Sequence, residues 1–396
     1  MKLDSGIISW LQGFLKKVPA AVFVNNKLKA RQVLAEYQQT CGYYSRLAMS
    51  KSHDELLATM RAGKHIAASD PVRVFFVGTD EYQDKSGLLQ SVCRHADTRW
   101  FTNAAGDYGH NDSREPSVRA AANAARLWEL LDDFAHAGWV PDVVLTQTWP
   151  NLIDPMVFRN ARERWGLTVI NISMDDRHQY WGGRVDGYGT GTRALIPYID
   201  LVLTAAPECV EWYEKEGCPA LFFPEASDPD IFCPMPELPK IHDISFVGAR
   251  YGIREKLVKA LRKAGVRVST YGSGWEEGRI GVAEVPRLFA QSKIILGVGT
   301  IGYCDDFYAL KLRDFDGPMS GSMYLTNDNK DLHDLFAVGQ EIDTYRDIDD
   351  CISKVKYYLA HDEKREEIAR AGRIRALSEH TWDHRFSNLF SLLGGS

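Results

Sequence analysis

Paired cysteines are the first thing this sequence lacks. Its seven cysteines stand at 41, 93, 209, 218, 233, 304 and 351. The count is odd and none forms a CxxC pair. That argues against a disulfide framework and a thiolate zinc site, and it fits a reducing cytosol, so a cytoplasmic location is expected. An excess of positive charge is also lacking. Lys and Arg number 47 against 53 Asp and Glu, a net charge of −6, so no global field draws nucleic acid and only a local basic groove could hold it. No apolar run is long enough to cross a bilayer, and no signal peptide is legible. The opening SGIISWLQGFLKKV (5–18) is a short amphipathic pattern ending in Lys16 and Lys17. It is expected to dock as a helix on the body of the protein rather than on a membrane.

What is present suits a two-domain α/β protein. The chain has 396 residues, 45% apolar and 25% charged, which is too long for one ordinary core. Residues 1–68 read as a helical extension, with Leu28, Val33, Leu34 and Tyr37 at helical spacing and a capped segment SHDELLATMRAG. DPVRVFFVGTD then brings a β-branched and aromatic run, a buried strand. DVVLTQT (142–148), LTVINIS (167–173), DLVLTAA (200–206) and ALFFPEA (220–226) follow, separated in part by helical stretches. Such alternation implies a parallel sheet wrapped by helices over 69–235. DPDIFCPMPELPK, with four prolines, reads as a linker. The pattern restarts over 236–378 with DISFVG, VRVSTYG, KIILGVG and SMYLTN. Two Rossmann-like halves facing each other across a cleft are expected, with ligands at the loops after Gly78, Gly248, Gly272 and Gly299.

Three stretches carry candidate chemistry. FVGARYGIREKL ends a strand at Gly248 and passes Arg250 and Arg254 into a helix. Free N–H groups beside arginines suit an anion, although arginines there are more often merely solvated. YGSGW places Gly272 and Gly274 after a strand, where they permit close backbone approach to a flat ligand or simply form a turn. YALKLRDFDGPMSG reads as a helix over 308–315 ending near Asp316-Gly317-Pro318. From it Lys311 could reach a phosphate and Asp316 a ribose diol. DFD (314–316) and DPD (228–230) imitate a metal motif, but residues two apart on a helix do not share a face, and the second lies in the linker.

Taken in order, FVGARYGIREKLVKALRKAGVRVSTYGSGW, PRLFAQSKIILGVG and LKLRDFDGPMSGSMYLTNDNKDLHDLF with the helices that follow resemble the C-terminal half of the CgeB-like, spore-maturation type glycosyltransferases of the GT-B fold. PDVVLTQT, DLVLTAAPECVEWYEKEG and FFPEASDPDIF resemble the first half more loosely. The resemblance implies sugar transfer from a nucleotide donor held by the second domain, with UDP the first choice of nucleotide. It implies no metal and no cofactor beyond that cosubstrate. The acceptor is a hydroxyl on a glycan, protein or small molecule, bound mostly by the first domain. It also implies a final segment, 379–396, that crosses back to the first domain.

Carried onto this sequence, the resemblance gives Asp316 the ribose and places Lys311, Arg313 and Arg250 near the diphosphate. Tyr308 stands where an acid is expected, so Asp305 or Asp306 would meet the sugar instead. An inverting reaction would need a base on the acceptor side. Asp80, Asp175, Asp176 and His178 are the candidates, the last three in SMDDRHQYWGG, where each is also readable as an ordinary loop residue. Epimerase or hydrolase chemistry on the same fold, glycosylation of DNA, a binding protein without turnover, and homodimer formation all stay open.

Overall fold

The computed structural model describes residues 19–62, 71–110, 115–185 and 187–394. The amphipathic pattern of residues 5–18 and the boundary at residue 68 lie outside them. A long helix, α1 (Pro19–Tyr44), and a short one, α2 (His53–Ala62), come first. The first sheet is built from β1 (Arg73–Val77), β2 (Asp97–Trp100), β3 (Val143–Thr146), β4 (Thr168–Ser173), β7 (Leu201–Thr204) and β8 (Ala220–Phe222). Between them run α3 (Glu81–Asp84), α4 (Leu88–His95), α5 (Pro116–His136), α6 (Met156–Trp165), α7 (Asp176–Gln179), the two-residue strands β5 (Arg184–Val185) and β6 (Tyr188–Gly189), and α8 (Pro207–Lys215). The second sheet uses β9 (His242–Val247), β10 (Val268–Tyr271), β11 (Ser292–Leu296), β12 (Met323–Asn327) and β13 (Asp343–Tyr345). Its helices are α9 (Ile253–Lys263), α10 (Val285–Ala290), α11 (Arg313–Met319), α12 (Lys330–His333), α13 (Ile348–Ala360), α14 (Asp362–Glu379) and α15 (Trp382–Leu393).

Both sheets are parallel throughout, in the orders β2-β1-β3-β4-β7-β8 and β10-β9-β11-β12-β13. Every residue of β3, β4 and β7 is buried, as expected of strands covered on both faces. In each sheet the order reverses beside the first strand, between β1 and β3 and again between β9 and β11, and the crevices open at those carboxyl ends.

One face of the first sheet packs against α5, α6 and α8, joined by Tyr44 from α1. The other packs against α4 and against α15, which returns from the end of the chain with Trp382, Phe386 and Leu389. Linker and returning helix meet at one point. Ser227 N–H donates to His380 O and Trp382 N–H to Ser227 O, both at 3.0 Å, and Arg94 pairs with Asp228 at 2.9 Å. Trp382 is fully buried; truncating it to Ala should cost about 3–5 kcal/mol. Among the described residues no helix is long and apolar enough to cross a membrane.

The expected helix over 308–315 is displaced. Residues 305–312 form a loop, and α11 begins at Arg313 and runs through Asp316-Gly317-Pro318. The Gly-Pro pair is a packing device rather than a helix stop. A Cβ on Gly317 would lie 2.5 Å from the Tyr324 ring, so glycine lets α11 press against β12.

Candidate active site

The carboxyl ends of β11, β12 and β13 border a cleft of about 580 Å³, lined by Ile253, Leu257, Val298, Thr300, Asp305, Asp306, Tyr308, Asn327 and Tyr345 to Asp349. Its apolar wall comes from the first turns of α9. Its floor is the segment GVGTIG (297–302), whose glycines are required by crowding: a Cβ on Gly297 would sit 2.1 Å from the Tyr324 hydroxyl, and one on Gly299 2.8 Å from Ala309 O. That spaced-glycine run was the overlooked sequence signal, because a loop rather than a helix follows it.

Around this cleft, buried donors are left without partners. Arg254, on the first turn of α9, is 5% exposed. Its terminal nitrogens reach Ala249 O and Val298 O at 3.3 Å, and its Nε has no partner. Arg313, at the start of α11, likewise has a free Nε. Among the described residues neither guanidinium forms an ion pair. Burial, and then the charge of Arg313, push the Arg254 pKa down to about 10. Asn327 Nδ2, Asn329 Nδ2 and the Thr300 hydroxyl are also unpartnered. Buried polar groups are normally satisfied, so this concentration of donors marks a place for an anion.

The other expected donor residues divide. Lys311 sits in the loop before α11, its Nζ 3.7 Å from Asp175 of the first domain. Tyr308 lines the cleft, and its carbonyl accepts from Arg177 at 2.8 Å. Three expectations need correction. Arg250 is held on the outer side of α9 by Glu255 at 2.8 Å and Glu276 at 3.3 Å, over the Trp275 ring, so its charge is already matched. Gly248, Gly272 and Gly274 pack strand-end loops together: a Cβ on Gly272 would meet Gly248 O at 2.4 Å and one on Gly274 would meet Arg250 Cβ at 3.2 Å. Asp316 is 4% exposed and accepts from Ser227 Oγ at 2.7 Å, so it ties α11 to the linker instead of facing a ribose. Asp314 points elsewhere, accepting from the Tyr324 hydroxyl at 2.5 Å.

The first domain's candidates divide too. Asp176 is fully buried and accepts from Ser173 Oγ and Thr192 Oγ1 at 2.5 Å and from the Tyr213 hydroxyl at 2.8 Å. It holds the β4–α7 turn together and does not reach the cleft. Asp80 caps α3, accepting from Tyr82 N–H at 2.8 Å. Asp175 and His178 do come together at the domain junction, 3.9 Å apart. Burial holds the His178 imidazole below its ordinary pKa, and its Nδ1 is unpartnered.

Two residues escaped the sequence reading. Arg177 bridges the domains, pairing with Glu208 at 2.6 Å and Asp331 at 2.7 Å. Glu225, just past β8, is 4% exposed with a free Oε2. Burial raises its pKa to about 7 against the pull of Lys311. Neither lies in a legible motif, since each matters through groups distant in sequence.

No curated protein sequence matches this chain significantly. A family model described as "Glycosyl transferase-like" matches residues 253–391. The second half of the chain carries a glycosyl transferase-like domain. Solved structures extend the likeness to both domains. HepE from Anabaena, in complex with UDP and glucose, aligns with a TM-score of 0.59 at 10% identity, covering 82% of this chain and 100% of that one. Sucrose-phosphate synthase from Thermosynechococcus elongatus gives 0.55 at 12%, covering 85% and 92%. AviGT4, a glycosyltransferase involved in avilamycin A biosynthesis, gives 0.50 at 14%, covering 82% and 99%. At such identities the likeness establishes the fold: two parallel-sheet domains in the GT-B arrangement used by glycosyltransferases.

Proposed function

We propose that this glycosyl transferase-like protein moves a sugar from a nucleoside diphosphate sugar, UDP first among them, to a hydroxyl acceptor, without a metal ion, and that it belongs to the CgeB-like branch. The observation that carries this reading is the Arg254–Arg313 pair, two neighbouring cations at a strand-end cleft with no carboxylate to match them. Breaking the anomeric C–O bond leaves a diphosphate with extra negative charge. Fixed guanidinium groups aimed at that charge stabilise the transition state, typically the largest catalytic contribution. Lys311 supplies a third cation from the loop. The ribose role once expected of Asp316 passes to the carboxylates that do line the cleft, among them Asp347 and Asp349. Across the junction His178, neutral at ordinary pH and beside Asp175, is the group placed to take the acceptor's proton. The complexes of HepE with UDP and UDP-glucose support the choice of nucleotide. All seven cysteines are free thiols, which supports a cytoplasmic setting.

A panel of UDP-, GDP-, dTDP- and CMP-sugars, read by thermal shift and by nucleotide release, tests this. At a hundredfold excess over Kd the bound nucleotide should stabilise the fold by about 2.7 kcal/mol. Arg254→Gln and Arg313→Gln should each remove that shift. If no nucleotide stabilises the native protein, the reading is wrong.

A further inference from the structure

Helix α1 carries one stripe of inward-facing residues at helical spacing, Ala30, Val33, Leu34, Tyr37, Cys41 and Tyr44. The two ends of that stripe touch different domains. Tyr44 and Cys41 join the core of the first domain, and the Tyr44 ring stacks on Trp212 at 5.7 Å. Ala30, Val33 and Leu34 pack on Ile301, Cys304 and Phe307 of the second domain, with the Cys304 thiol 3.6 Å from Ala30 O. Tyr37 belongs to both sets. Its ring lies 6.0 Å from Trp212 and 4.7 Å from Phe307, and its hydroxyl donates to Glu208 at 3.0 Å. Glu208 also grips Arg177, which holds Asp331 and Tyr308 O across the junction.

The second-domain loop so gripped is the one that walls the cleft. Thr300, Asp305, Asp306 and Tyr308 face the cleft, while Ile301, Cys304 and Phe307, alternating with them, face α1. We infer that α1 is a strap that positions the donor-binding loop 300–309, with Tyr37 as its positioning residue, so that the nucleotide-sugar site is complete only when α1 spans both domains. This inference rests on the reading that the cleft takes a nucleotide sugar. The strap contributes rigidity rather than a reacting group. A loop held in its binding conformation spares the donor the cost of ordering it, which lowers donor KM more than it changes kcat.

Cys304 reports on the strap directly, being 5% exposed beneath α1. Alkylation by iodoacetamide, followed residue by residue by peptide mass spectrometry, should be slow at Cys304 in the native protein and slower again with saturating UDP. Tyr37→Ala should speed it about tenfold and raise donor KM about tenfold, with kcat within about twofold. Tyr37→Phe keeps both ring contacts and should return donor KM to within about threefold of the native value. Should Tyr37→Ala prove insoluble, Val33→Ala tests the same contact in the same direction. A Cys304 rate and donor KM that Tyr37→Ala leaves untouched would overturn the strap while the donor reading stands. No response of the native protein to UDP or any other nucleotide overturns the donor reading, and with it the donor half of this inference, whatever Cys304 does.

Discussion

The lips of the two sheets are built alike and charged in opposite senses. At the first, the notable buried groups are acceptors: Asp84, held by Thr79 N–H at 2.8 Å and the Tyr108 hydroxyl at 3.0 Å, Asp176 in its nest of hydroxyls, and Glu225 beyond β8. At the second they are donors: Arg254, Arg313, Asn327 and Asn329. A displacement reaction between two such lips has a direction. The group that leaves as an anion departs toward the donors, and the proton released by the attacking hydroxyl departs toward the acceptors. The acceptors are mostly bonded already within their own domain, whereas the arginines are not. The second lip is therefore the one left incomplete for a ligand.

The strongest way to break this comparison is to remove a second-lip cation. Arg254→Gln and Arg313→Gln should each lower kcat by about 10²–10³-fold, the usual cost of losing one donor to a developing anion. Neither should lower the melting temperature of the free protein, because an unmatched buried charge contributes no stability. A structural arginine would behave in the opposite way, with melting temperature falling and kcat per folded molecule kept.

At the first lip the pattern should invert. Asp176→Ala strands three hydroxyl donors in the core and should destabilise the protein by about 3 kcal/mol, measured by urea unfolding. Activity per folded molecule should stay within about twofold, since the side chain touches no part of the cleft. A large loss of kcat in well-folded Asp176→Ala would restore it as a candidate base and erase the distinction between the lips.

The pH dependence sharpens the comparison further. Burial raises Glu225 from 4.5 to about 7 and Asp84 and Asp314 from 3.8 to about 6. A carboxyl whose pKa is raised on folding favours the folded state while protonated. Its contribution is full below about pH 4 and lost as pH climbs through 6 to 7. Glu225→Gln keeps the neutral form at every pH. It should gain about 2 kcal/mol over the native protein at pH 8 and little at pH 4. Equal stability differences at both pH values would mean that Glu225 is ionised throughout.

How much of this was legible in the sequence depends on whether a residue's meaning is local. The doubly covered strands announced themselves as apolar runs, so two parallel sheets and their facing cleft could be read directly. β2 could not, because DTRW is an edge strand with its side chains only partly buried. Arg254 was found because a strand, a glycine and a helix start flank it. Asp316-Gly317-Pro318 was misread as a stop because the reason for Gly317 is Tyr324 on the neighbouring strand. Arg177, Glu225 and Tyr37 were invisible as site residues, since each acts between segments far apart in sequence.

Arg250 gives the smallest and most discriminating test. From its position after β9 it is as good a diphosphate ligand as Arg254, and sequence alone separates them in no way. The structure does: Arg250 faces outward with Glu255 and Glu276 for company, while Arg254 turns inward with none. Exposed pairs of this kind contribute little and weaken with salt. Arg250→Ala should therefore leave donor KM and kcat within about twofold, with any residual effect fading at high ionic strength. If instead Arg250→Ala lost activity as deeply as Arg254→Gln, the ion pairs would have to open on donor binding, and charge matching in the free protein would no longer tell the binding arginines from the rest.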